Sequence, residues 1–214
     1  MVFTGHEFAE GGEFIANCLH QQNIKASFFF TGRFYRNQQF WSIIKHLKND
    51  GQYLGAHSNE HLLYCDWNDR KKLLISKDEF KVDLWNNYAQ MTMFNIERKD
   101  ARYFLPPYEW YNDSISRWTK QLGLELINYT PGTLSHADYT MSKDKNYRSS
   151  ETIYNSIIDY ERSKPAGLNG FILLIHIGAG PDRTDKFYTR LPELIKYLKQ
   201  KGYQFQTVDQ LLSR

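Results

Sequence analysis

An α/β fold on a parallel sheet with right-handed crossovers, open or closed into a barrel, is what this sequence predicts. Strand-like and helix-like segments alternate about seven times along the chain, the signature of repeated strand–helix–strand units. Residues 24–32 read as an apolar run with a polar stop, as expected of a strand buried on both faces, and 170–176 is the strongest buried strand. No repeat, low-complexity run or linker divides the 214 residues, so a single domain spanning 1–214 is expected.

Taken in order, Val2-Phe3-Thr4 is strand-like and gives way to the polar cluster Gly5-His6-Glu7. Gly11-Gly12 marks a loop, and residues 13–19 carry helical spacing. Ile24-Lys25-Ala26-Ser27-Phe28-Phe29-Phe30-Thr31-Gly32 is a buried strand with its stop. A helix over 39–48 places Phe40, Ile43, Ile44 and Leu47 on one face. Residues 51–55 read as a short strand whose final Gly55 lets the backbone turn sharply. A long helix is predicted from Asp69 to about Met93, capped by Asn68 or Asp69. Residues 101–105 form a strand halted by Pro106-Pro107, and Asn112-Asp113-Ser114 caps a helix that Gly123 ends. Residues 124–129 are the next strand, and 130–148 is a long polar loop, of the kind that is functional or mobile. A helix from Ser149 or Ser150 to about Arg162 leads to the strand 170–176. A helix over 191–201, a short strand over 204–206 and a terminal helix from Val208 complete the chain.

The bulk numbers narrow the function classes. Net charge is +3 with acids and bases interspersed, which excludes the clustered basic footprint of a nucleic-acid binder. No apolar run approaches a membrane span and no leader is read, although the strand-like start is compatible with a preceding segment. Cys18 and Cys65 are the only cysteines; Cys18 reads as a small buried hydrophobe, and no disulfide is expected. Aromatic content is high at 16%, which suits a core and also suits surfaces that stack on sugars.

The chemistry gathers on Gly55-Ala56-His57-Ser58-Asn59-Glu60-His61. Two histidines four residues apart share one face of a helical turn, where both imidazoles can reach one divalent cation. Taken alone, such a pair is more often plain surface. Other polar residues, however, stand at predicted carboxyl ends of strands, where parallel α/β folds place their sites: His6, Glu7, Tyr108, Glu109, Tyr129 and His176. Two histidines with one carboxylate leave an open coordination position, and such sites suit hydrolysis of an ester or amide.

The order of these motifs resembles the NodB-like polysaccharide deacetylases, carbohydrate esterase family four. His57-Ser58-Asn59-Glu60-His61 matches the family's H-[ST]-x-x-H metal motif. Ile24-Lys25-Ala26-Ser27-Phe28-Phe29 is similar to its strand "vkATFF", Phe104-Leu105-Pro106-Pro107-Tyr108 to "FRPPYG", and Leu173-Leu174-Ile175-His176 to the strand carrying the catalytic histidine. Residues 191–203 follow the family's closing pattern.

The resemblance implies a distorted (β/α) barrel of the NodB type that removes acetyl groups, N- or O-linked, from a carbohydrate. It implies a divalent metal, zinc foremost with cobalt or nickel as alternatives, on Glu7, His57 and His61. It makes His6 the proton acceptor, Tyr108 the oxyanion donor through its backbone N–H, and His176 the general acid, tuned by an acid such as Asp138. Asp138 by itself reads as loop surface. Trp110 and Tyr129 are the candidates for stacking on a sugar, with core packing as their plainer role. Localisation is not read from the residues, an extracytoplasmic one being suggested by the family resemblance alone; the oligomeric state is left open.

The sequence also departs from the family. Phe3-Thr4-Gly5-His6-Glu7 stands where the family has T-F-D-D. One register puts His6 on the base and Glu7 on the metal position; another puts Thr4 and Gly5 there and leaves no acid. Leu105 replaces the Arg that orients the base, Glu109 replaces a Gly, and Ile177 replaces an Asp. Arg102 lies three residues away and would face the other side of its strand. Two other readings therefore stand beside the enzyme: a deacetylase-like carbohydrate-binding module without turnover, and a hydrolase of a non-sugar C–N bond.

Overall fold

The computed structural model describes residues 1–213. Strand β1 (Val2–Gly5) is followed by α1 (Gly12–Gln21), β2 (Ser27–Phe30), the short α2 (Gly32–Arg36) and α3 (Trp41–Asn49). Next come β3 (Tyr53–Ala56), α4 (Lys77–Thr92), β4 (Tyr103–Phe104), α5 (Asp113–Gln121) and β5 (Glu125–Leu126). The chain closes with α6 (Ser150–Ser163), β6 (Leu174–His176), α7 (Leu191–Gln200) and α8 (Val208–Leu212). All strand pairs are parallel, in the order β5-β4-β3-β2-β1-β6. The predicted class, a distorted (β/α) barrel, is the observed one.

The distortion lies between β5 and β6, where no ladder forms. There the gap is bridged by Thr130 N–H donating to the Ile172 carbonyl at 3.0 Å and Ile172 N–H donating to Thr130 Oγ1 at 3.0 Å. Alternation along the strands then makes two cores. Val2, Phe29, Tyr53, Leu105, Ile127 and Leu174 fill the barrel interior. Phe3, Phe28, Phe30, Leu54, Phe104 and Ile175 face outward beneath the helices. The next inward positions, at the strands' carboxyl ends, are Thr4, His57, Tyr129 and His176, which is how the fold delivers polar residues to one mouth.

Five local expectations need correction. The helix predicted from Asp69 begins only at Lys77, because Ser76 and Glu79 form a reciprocal cap there. Upstream, the Asp66 and Asp69 carboxylates take the N–H groups of Asn68, Asp69 and Lys71, a local alternative to helix. Gly55 makes no sharp turn; it lies within β3, and the Phe29 ring occupies the space its side chain would need. Residues 204–206 pair with no strand, and Thr207 caps α8 instead. His57 and His61 are not on a helical turn, since Ser58 (φ 74°) and His61 (φ 57°) take left-handed backbone in a loop. Finally, Thr31-Gly32 does not merely end a strand: the Thr31 hydroxyl accepts from Phe34 N–H and starts α2. Both cysteines are free and buried. Among the described residues no helix is long and apolar enough to cross a membrane.

Candidate active site

A cavity of about 620 Å³ opens at the carboxyl ends of the strands, lined by His6, His57, His61, Tyr108, Glu109 and His176 among others. A larger one, about 820 Å³, lies at the opposite end against Met1, Phe171 and Tyr203, with no His, Asp, Glu or Cys in its lining. The histidines and carboxylates sit at the first.

The His57–His61 loop is built by α4. Its Asp83 carboxylate, buried, accepts from Ser58 Oγ at 2.7 Å, from Tyr64 OH at 2.8 Å and from the backbone N–H of Glu60 at 3.0 Å and Asn59 at 3.2 Å. Asn87, one turn further along, accepts from His57 N–H at 2.9 Å. Ser58 Oγ in turn accepts from His61 N–H at 3.0 Å. These bonds hold a left-handed backbone that the loop's own sequence would not favour.

His57 Nδ1–H donates to the Leu105 carbonyl at 2.7 Å, which leaves Nε2 as the lone-pair nitrogen. Burial pushes His57 down to about 3 and His61 to about 2, with neighbouring imidazoles adding to the effect. Both rings are therefore neutral near pH 7, the form that binds a metal. Their centroids are 5.1 Å apart, and the His6 ring stacks on His61 at 4.5 Å. His6 Nδ1 lies 3.1 Å from Thr31 Oγ1, and burial lowers its pKa too. Glu7, by contrast, is 58% exposed, with its carboxylate 3.8 Å from His6 Nε2. The donor chemistry of His57 and His61 fits a divalent cation. Among the described residues, though, no three His, Cys, Asp or Glu side chains converge into a metal-holding set.

His176, on the opposite wall, is held by Asp138, whose carboxylate takes the ring Nδ1–H at 2.6 Å and the His176 backbone N–H at 2.9 Å. Asp138 is 4% exposed, so its reading as loop surface is corrected. Burial alone would lower the His176 pKa; the Asp138 charge and hydrogen bond, with Glu109 further off, raise it. The loop that carries Asp138 is tied down by buried Arg183, which donates to the carbonyls of Thr140, Arg148 and Asp185.

Tyr108 and Glu109 both have left-handed backbone, φ 58° and 54°. The Tyr108 ring meets His61 at 4.4 Å, and among the described residues its N–H pairs with no backbone carbonyl outside its own turn. Tyr129 lines the cavity, stacked on His136 at 4.7 Å. Trp110 does not reach the cavity and is corrected: its indole lies under Arg70 at 4.2 Å and donates to the Asp66 carbonyl. Trp67, packed on it at 5.4 Å and 53% exposed, takes the rim position. Leu105 is fully buried in the barrel, and Arg102 is exposed in an ion pair with Glu125 at 3.1 Å.

Sequence reasoning passed over Asp83, Asn87 and Trp67 as site residues, and placed Glu109 at a strand end without giving it a role. A polar pair at i, i+4 between the apolar residues Phe80, Leu84 and Met91 was the available signal for the first two.

Residues 10–127, more than half of the chain, match the family described as "Polysaccharide deacetylase". A peptidoglycan-N-acetylglucosamine deacetylase of Bacillus cereus is 26% identical over 198 residues, covering 92% of this chain and 80% of that protein. Two solved structures share the fold. One is a carbohydrate esterase family four pseudoenzyme from Bacillus anthracis, with TM-score 0.69, 21% identity, and coverage of 99% of this chain and 65% of that one. The other is an acetyl xylan esterase from Clostridium thermocellum in complex with a cobalt ion, with TM-score 0.71, 19% identity, and coverage of 99% and 88%.

Proposed function

The protein belongs to the polysaccharide deacetylase family, and from that premise we propose that it is a hydrolase that removes acetyl groups from a carbohydrate. The observation that carries the reading is the placing of two neutral imidazoles, His57 and His61, on one wall of a cavity and the Asp138–His176 pair on another. His57 and His61 would hold a divalent cation, zinc foremost with cobalt or nickel as alternatives, and His6, stacked on His61, or Glu7 beside it would have to shift to supply a third donor. When bound, such an ion supplies a Lewis acid for the acyl carbonyl and the attacking water.

The chain's own residues do the rest. Tyr108 N–H, free of outside partners, donates to the oxygen that becomes negative as the carbonyl turns tetrahedral. Asp138 fixes the His176 tautomer, with the proton on Nδ1 facing the carboxylate and Nε2–H of the imidazolium left to protonate the departing amine or hydroxyl. Tyr129 and Trp67 offer ring faces to a sugar. The test is acetate release from N-acetylglucosamine oligomers and acetylated xylan oligomers, before and after chelation.

A second reading is favoured by two departures from the family. Leu105, buried in the barrel, stands where the family has Arg, and no acid stands in register at the first motif under one alignment. That combination supports a carbohydrate-binding relative without turnover. Oligomer binding with no acetate release would select it.

A further inference from the structure

We propose that Glu109 is the proton-accepting catalytic residue of this cavity, acting together with His176. The assignment rests on the deacetylase reading and replaces His6 in that role.

Three observations lead there. First, among the described residues only two carboxyl groups line the cavity, Glu7 and Glu109, and Glu7 is 58% exposed at its edge. Glu109 is half-buried and makes no ion pair among the described residues. Second, the residues at the first strand end cannot serve. Gly5 has no side chain, and the space for one is filled by Phe30, Phe34 and Ile177. His6 is turned to Thr31 and stacked on His61, among the candidate ligands. Third, the backbone at 109 is costly for any residue but glycine, at φ 54°, yet it is held there. Glu109 N–H donates to the Pro106 carbonyl at 3.1 Å, and Asn128 Nδ2 donates to the Glu109 carbonyl at 2.8 Å. A strained position kept by a charged side chain, at the mouth of a reactive cavity, points to use of that side chain.

The electrostatics agree. The groups facing Glu109 are His176, Asp138, Tyr129 and Tyr139. Burial pushes its carboxyl up to about 7, with the His176 charge opposing and the Asp138 charge adding. A base in that range is well matched to work near neutral pH. Asp138 raises the His176 pKa, which favours the imidazolium as the proton donor beside it.

The step balances. The Glu109 carboxylate takes one proton from water as the water oxygen bonds to the acyl carbon. The tetrahedral adduct collapses, the C–N or C–O bond breaks, and His176 Nε2–H gives its proton to the leaving atom. Products are acetate as the acid and the free amine or hydroxyl. Proton return from Glu109 to His176 through solvent resets the pair.

The experiment uses the whole protein with N-acetylglucosamine and acetylated xylan oligomers, comparing wild type with Glu109→Gln, Glu109→Asp and Glu109→Gly. Expected is a fall in kcat of about 100-fold or more for Gln and Gly, with KM near wild type and partial recovery in Asp. The acidic limb of the kcat/KM profile should vanish in Glu109→Gln. Glu109→Gly relieves the left-handed backbone, so its unfolding midpoint should rise while activity is lost, separating chemistry from folding. If wild type turns over and Glu109→Gln stays within about threefold with its acidic limb intact, the role of Glu109 is overturned and the deacetylase reading stands. If wild type releases no acetate from either substrate, both fall together.

Discussion

Asp138 grips His176 at two points, accepting the ring Nδ1–H at 2.6 Å and the backbone N–H at 2.9 Å. One carboxylate thus sets both the position of the imidazole and its affinity for a proton. Because Asp138 raises the His176 pKa, activity that needs imidazolium persists below that pKa and is lost as pH rises through it. In Asp138→Asn the His176 pKa falls, so the alkaline limb of the kcat profile should move to lower pH, with kcat down at least about tenfold. An unmoved limb would show that Asp138 only packs the loop.

The histidine loop depends on a residue outside the motif. Asp83→Ala should strand the donors of Ser58, Asn59, Glu60 and Tyr64, and cost about 2–4 kcal/mol. For a chain of this size that lowers the thermal midpoint by roughly 4–16 °C. Calorimetry checks it. Isothermal titration with zinc should also show weaker binding, since His57 and His61 lose their frame.

Gly55→Ala tests the reading of a strand glycine as a space requirement. A Cβ there would lie 2.5 Å from the Phe29 ring inside the barrel. Overpacking should destabilise by about 1–3 kcal/mol. Urea unfolding gives the value, and a double variant with Phe29→Leu should recover part of it.

Trp67 and Trp110 should separate binding from stability. Trp67→Ala is expected to weaken oligosaccharide affinity with little change in midpoint, because its ring is on the rim. Trp110→Ala is expected to lower the midpoint, because its ring is sandwiched between Trp67 and Arg70. Equal effects on both quantities in both variants would contradict the division.

The legible parts of this protein were those written in periodic or contiguous residues. Phe28, Phe29 and Phe30 announce a strand buried on both faces, and the order of strands and helices announces the barrel. His57, His61 and His176 were readable because each lies in or beside such a strand. What failed depended on particular side-chain contacts, local or distant, that periodicity does not show. Asn68 and Asp69 look like a helix cap, yet side chains there satisfy local N–H groups, and the helix waits for Ser76. Asp138 read as loop surface because nothing nearby in the chain shows that His176 packs on it, and Arg183 anchors that loop from beyond β6. Trp110 and Trp67 differ only in which ring is uppermost, a matter of tertiary packing. Glu109 stood in plain view as a departure from the family; its importance needed the cavity.

The most direct test of the central claim is acetate release from N-acetylglucosamine and acetylated xylan oligomers by wild type and His176→Ala, each with zinc added and after chelation. The account predicts release by metal-loaded wild type, loss on chelation, and a fall of about 100-fold or more in His176→Ala with the fold intact. Undiminished release in His176→Ala, or tight oligomer binding by wild type with no release, would contradict it.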